Sequence, residues 1–237
     1  MTVHYHGTPI TPRSVLYELH GCNFCVTFTD PRDMEICRGI GQSVMIDNGA
    51  FGYSQRNKLQ TAKRDWNSYY KFVADWHGPN TWAVIPDVNN GDEHENGLLI
   101  AEWYARFGNF KNAAPVWHLH ESFEYLDRLV NGFERVCFGS SREYWQISSG
   151  TWNNRMNEVF NRICKGSGSP PCDVHMLRGM SLSGSIYPFA SVDSTDIARN
   201  HEQNPGRARQ MATKWDALQN PAVWQRAATA VTLDFEK

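Results

Sequence analysis

The sequence predicts an α/β fold, a TIM-like (β/α)8 barrel or an incomplete one, in a single domain over residues 1–237. Three observations predict it. Short apolar, β-branched runs alternate with longer segments whose apolar residues recur near every 3.6 positions, the signature of strands and helices in a parallel sheet. Eight such runs can be counted, at 15–19, 25–28, 43–46, 81–85, 114–117, 135–138, 174–177 and 189–192. The length of 237 residues is also that of a one-domain barrel.

The helix-like segments fall between many of these runs, at 61–76, 95–107, 121–133, 153–164, 206–218 and 221–230. In the first of them Trp66, Tyr69, Tyr70, Val73 and Trp76 share one apolar face. Residues 165–171 read as a loop by their glycine, serine and proline content. The chain shows neither an internal repeat nor a long linker.

Composition narrows the class. A hydrophobic share of 41%, with 9 Trp, 9 Tyr and 12 Phe, supplies a sizeable core and excludes a disordered chain. No apolar run reaches the roughly 18 residues of a membrane span, and residues 1–12 lack the apolar stretch of a signal peptide. The expectation is a soluble, cytoplasmic protein with no membrane partner. Net charge is −2, so any nucleic-acid surface must be local rather than global. Arg199, Arg207, Arg209 and Lys214 form one candidate patch, and Arg142, Arg155, Arg162 and Lys165 another; on charge alone, ordinary solvated helix faces are the simpler explanation of both. The six cysteines have no disulfide-scaffold density and are expected to be reduced. Cys22 and Cys25, with Cys37 beyond them, could begin a zinc site, but no second pair at zinc spacing follows. No cofactor is expected. Oligomeric state is left open, a dimer included.

Chemistry is concentrated where the runs end. Asp47 follows 43–46, Pro86-Asp87 follows 81–85, His118-Leu119-His120 follows 114–117, Gly139-Ser140 follows 135–138, and Asp193 follows 189–192. In barrels of this class the catalytic groups lie at the C-terminal strand ends. Each residue also has a plainer explanation. Asp47-Asn48-Gly49 reads as a turn, and Asp87, Asp193 and Asp196 could cap helices. Their common placement is what favours a site. One carboxylate near an anomeric carbon, a second to carry a proton and a third to accept from the edge of a guanine-like base would together serve glycosidic base exchange. A backbone N–H beside Gly139 could approach the base carbonyl, because no Cβ intervenes.

Asp47-Asn48-Gly49-Ala50-Phe51 resembles the Asp-Ser-Gly-Gly-Phe motif of the tRNA-guanine transglycosylase superfamily. Matches follow in the same order along the chain: Pro86-Asp87, residues 136–140, residues 175–179, and residues 189–200 around Asp193. The resemblance implies a barrel transferase, a pentosyltransferase, with Asp193 as nucleophile and Asp47 beside the leaving base. It implies that Asp87 reads the amine edge, that Gly139 and Ser140 contact the base carbonyl, and that Met176 packs on the base plane with Phe51 a weaker candidate. His118 or His120 stands where the family has a base-contacting glutamine. The chain departs from the tRNA-acting members in lacking their cysteine-rich zinc motif after the nucleophile and in having little sequence beyond Asn200. In this it resembles the compact phage-type enzymes that place a 7-deazaguanine in DNA, 7-cyano-7-deazaguanine being favoured. Arg199, Arg207 and Arg209 would then contact phosphates, with tRNA as the alternative polymer and the host cytoplasm as the place of action.

Two other readings remain open. His118, His120 and His175 with Asp193 could form the metal centre of a barrel hydrolase. A nucleic-acid-binding protein without catalysis is the third.

Overall fold

The computed structural model describes residues 1–52, 65–108, 112–203 and 208–226. Within them lie β1 (Val3–Thr8), α1 (Ser14–Glu18), β2 (Asn23–Thr27), α2 (Met34–Ile40) and β3 (Ser43–Asp47). Then come α3 (Asn67–Trp76), β4 (Thr81–Val84), α4 (Glu93–Phe107), β5 (Ala113–Ala114) and β6 (Val116–His118). The chain continues through α5 (Phe123–Gly132), β7 (Arg135–Gly139), α6 (Gly150–Ile163), β8 (Asp173–Met176), β9 (Ser191–Ser194), α7 (Asp196–Asn200) and α8 (Ala208–Asp216).

The nine strands are parallel, in the spatial order β5-β4-β3-β2-β1-β9-β8-β7-β6. The two strands at the ends of that order, β5 and β6, are successive segments of one stave divided by Pro115, which has no N–H to give a ladder. On one side of this stave Ala114 C=O accepts from Ile85 N–H at 2.8 Å, and on the other Pro115 C=O accepts from Cys137 N–H at 2.9 Å. The result is a nearly closed α/β barrel of eight staves with helices between, in a single domain.

Two local expectations are corrected. Residues 15–19 are not a strand but coincide with α1, because Val15, Leu16 and Leu19 form one helical face that packs into the outer core. The first stave is instead β1, whose alternating His4 and His6 disguise it as a polar segment although both are 1% exposed. Residues 221–226 are not helical as the pattern at 221–230 implies. There Trp224 N–H donates to Gly168 C=O at 2.6 Å and its Nε1 to Asn161 Oδ1 at 2.9 Å, so tertiary bonds replace helical ones. Residues 227–230, like 61–64 and 206–207 of the expected helices, lie outside the described residues. The helix α2 was not legible in the sequence pattern.

The core has an inside and an outside, as a barrel requires. Tyr5, Cys25, Met45, Trp82, Val84, Ala114, Val116 and Cys137 fill the interior. Outside, one apolar layer packs β2–β4 under α1–α4, α7 and α8, and a second packs β6–β9 under α5 and α6, centred on Trp117, Trp152 and Phe160. Three helix starts are set by side-chain caps, Asp92 with Glu95 in a capping box for α4, Ser122 for α5 and Ser149 for α6. No helix among the described residues is long and apolar enough to cross a membrane.

Candidate active site

The C-terminal strand ends surround a cleft of about 670 Å³. Asp47, Asp87, His118, Gly139, Ser140 and Asp193 all line it, together with Phe51, Arg178 and Arg199. Three acids from β3, the segment after β4, and β9 therefore share one space.

Asp193 is the most firmly held of them. Its Oδ1 accepts from the backbone N–H of Arg178 at 2.7 Å and lies 3.2 Å from His175 Nε2. Since a carboxylate only accepts, His175 Nε2 carries the proton, and its Nδ1 accepts from the Ser191 hydroxyl at 2.8 Å. Burial holds His175 below its ordinary pKa against the opposing pull of Asp193, so the ring is neutral. The ring is fixed edge-on between Tyr5 and Trp82, at centroid distances of 5.9 and 5.3 Å. Asp193 Oδ2 has no partner among the described residues and the residue lines the cleft.

Asp47 ends β3 at the floor of the cleft, deep among protein atoms yet open to the cleft space. Burial first and the charge of Asp193 second push its pKa from 3.8 up to about 6, with the Gly49 amide and Thr27 hydroxyl pulling the other way. A carboxyl raised in the fold favours the folded state most below its ordinary pKa, and that advantage is lost as pH rises from about 4 to about 6. Asp47→Asn is therefore expected to stabilise the protein by about 1–3 kcal/mol at pH 7–8 and by little at pH 4. Urea unfolding at the two pH values checks this; an equal effect at both would refute the shifted carboxyl. The turn after Asp47 needs its glycine, because Gly49 has φ 71° and a Cβ there would lie 2.6 Å from Thr29 Cγ2. No hairpin forms there, since the strands are parallel.

Asp87 is paired on both oxygens. Oδ1 accepts from Asn48 Nδ2 at 2.7 Å, and Oδ2 lies 2.9 Å from His118 Nε2. Asn48 also donates to Ile85 C=O at 2.9 Å and accepts from Ala50 N–H at 2.8 Å, which ties the two strand ends together. Asp87 does not cap α4; Asp92 does. His118 is 2% exposed, with its N–H on Glu121 Oε2 at 2.7 Å. A Cβ on Gly139 would lie 2.7 Å from His118 Nδ1, so this glycine makes room for the imidazole that braces Asp87.

Other expected residues are placed elsewhere. His120 turns away from the cleft: its Nε2 donates to Gly91 C=O at 3.0 Å and its Nδ1 accepts from Ser141 Oγ at 2.6 Å. Met176 lies fully buried in the outer core, and Leu177 takes the cleft position beside it, because successive side chains of β8 face opposite sides of the sheet. Phe51 lines the cleft under the Arg178 guanidinium, 4.3 Å from the ring centroid. Ser140 lines the cleft while its Oγ accepts from Trp152 Nε1 at 3.0 Å. Asp196 is structural, accepting from Asn200 at 2.7 Å and Trp215 at 2.9 Å.

The basic patch does not hold together. Arg199 is at the cleft, whereas Arg209 donates to His20 C=O at 2.9 Å, at the opposite, N-terminal end of the barrel. Arg207 lies outside the described residues. Arg142, Arg155 and Arg162 are engaged by Asn90 and Gly91, by Leu119 and Glu121, and by Asp127. The expected thiol cluster is likewise divided. Cys25 on β2 faces the barrel interior, while Cys22 just before β2 and Cys37 on α2 lie in the outer layer. Nor do His118, His120 and His175 converge into a ligand group among the described residues.

Arg178 and Asn48 are the site residues that residue patterns did not single out. Arg178 has φ 58°, a backbone state nothing in its neighbours announces, and that turn aims its N–H at Asp193. Asn48 follows Asp47 directly, and its position beside a strand-end acid was the available signal.

Comparison with protein-family models, curated proteins and solved structures gives no match. The chemistry must be read from the cleft.

Proposed function

We propose that the protein is a base-exchange transglycosylase that replaces guanine in DNA with a 7-deazaguanine, 7-cyano-7-deazaguanine being the favoured base. The observation that carries this is Asp193 in the cleft lining, with one oxygen held by Arg178 N–H and His175 and the other without a partner among the described residues. A nucleophile so fixed needs little reorganisation to meet a sugar carbon.

In the proposed cycle Asp193 attacks C1′ of the nucleotide. The C1′–N9 bond breaks, its electron pair stays on the leaving guanine, and Asp47 in its acid form supplies the proton that neutralises the base. A carboxyl with a pKa of about 6 can both give and take a proton near neutral pH. The incoming base then loses its N9 proton to Asp47, its nitrogen attacks C1′, and the bond to Asp193 breaks. Asp87, braced by Asn48 and His118, keeps lone pairs for the N1–H and exocyclic amine of a guanine-type edge. Arg199 at the rim, exposed and beside the cleft, suits a phosphate. A target guanine must be extruded from the duplex or met in single-stranded form, because its sugar carbon is otherwise shielded. DNA is preferred to tRNA on the resemblance alone.

Radiolabelled guanine incubated with the protein and either duplex DNA or tRNA tests the reading. Label entering DNA supports it, label entering only tRNA changes the polymer, and label entering neither with folded protein overturns it.

A further inference from the structure

Away from the cleft, β1 turns His4 and His6 outward beneath α8, while Tyr5 between them faces the barrel interior. One ligand atom each from His6, Cys22 and Asp216 lies within 4.8 Å of the other two. His6 is 1% exposed and its Nε2 has no hydrogen-bond partner among the described residues. His4 is equally buried, with an unpartnered Nδ1 located 3.4 Å from Asp216 Oδ1. Buried polar nitrogens without hydrogen-bond partners are rare and costly, so two on alternate residues of one strand call for an explanation.

We propose that His6, Cys22 and Asp216 form a binding site for a borderline-soft divalent cation, zinc by preference, which ties α8 to the outer wall of the barrel. The donor set fits. Imidazole, thiolate and carboxylate are the three zinc ligand types, and mixed nitrogen and sulfur donors select zinc over magnesium or calcium. Charge balances too, since a thiolate and a carboxylate offset a divalent ion while the imidazole stays neutral. Burial pushes the His6 pKa down to about 4, which keeps its nitrogens free of an extra proton at neutral pH. Burial first and Asp216 second raise the Cys22 thiol, and Arg209 opposes them by donating to Sγ at 3.4 Å. The cation would replace the Cys22 proton and relieve the repulsion between thiolate and carboxylate. Asp216 is half exposed, its side chain 46% accessible, and offers a way in; His4 holds the far side of that carboxylate. The fourth position is left to water.

The site does not depend on the catalytic reading. The test uses the full chain, stripped with a chelator and titrated with zinc while thermal unfolding is followed. At a hundredfold excess of free zinc over its Kd the midpoint should rise by roughly 5–10 °C. Asp216→Asn and Cys22→Ser should each remove most of that rise while leaving base exchange unchanged. Asp216→Asn, at a half-exposed position, keeps the test open if Cys22→Ser fails to fold. Cobalt(II) in place of zinc should show a thiolate charge-transfer band that Cys22→Ser abolishes. A midpoint that zinc does not move, or a rise equal in the parent and Asp216→Asn, would overturn the proposal.

Discussion

Asp193→Asn is expected to abolish base exchange, by at least about 10³-fold, while the protein stays folded. Asparagine is the better test than alanine. Its Oδ1 can still accept from the Arg178 N–H and the His175 Nε2–H, whereas alanine would leave both buried donors unpaired at about 1–3 kcal/mol each. The loss in the asparagine variant therefore reports the missing nucleophile and not a collapsed site. The same variant carries a second readout. The charge of Asp193 is the second cause of the raised Asp47 pKa, so removing it should move Asp47 below about 6 in an NMR titration. Near-parental exchange would sink the nucleophile assignment. An unmoved Asp47 would sink the electrostatic link between the two acids.

The second large effect is expected at Asp87. Asp87→Ala removes the partner of His118 Nε2, a buried group 2.9 Å away, and should cost about 3 kcal/mol in urea unfolding. Asp87→Asn should cost less, because an amide oxygen can still receive the imidazole. In that variant the oxygen that accepts from Asn48 Nδ2 becomes a donor, which faces the Asn48 amide as well as the donors of a guanine edge. Discrimination for guanine-type bases over an analogue without the exocyclic amine should then fall by about 10–10²-fold in kcat/KM. Selectivity equal to the parent would mean that Asp87 braces the cleft and does not read the base.

Strand ends carried most of what could be read in advance. The alternation of apolar runs and helical faces implies a barrel, and a barrel places the residue after each run on one rim. Asp47, Asp87, His118, Gly139 and Asp193 follow from that rule alone, and all five line the cleft. The rule fails where a side chain's direction departs from its neighbours'. His120 lies only two residues past His118, but the stave has ended and the turn after it aims the ring at Gly91 and Ser141. Met176 is the last residue of β8 and faces the helices, which leaves the cleft to Leu177 just past the strand end. The first stave was hidden because His4 and His6 look solvated in a sequence; α7 and α8 packed over β1 make it a buried strand.

The sequence by itself determined the class of fold and which acids share a rim, because both follow from periodicity and from the geometry of parallel strands. Tertiary structure alone decided what each acid can do. Asp193 is anchored through Arg178 and His175, both remote from it in the chain, and Asp47 is raised by burial and by a charge more than a hundred residues away. Such effects arise from distance in space, and residue order carries no record of it. The same holds for His6, Cys22 and Asp216, which come together only when α8 closes on β1.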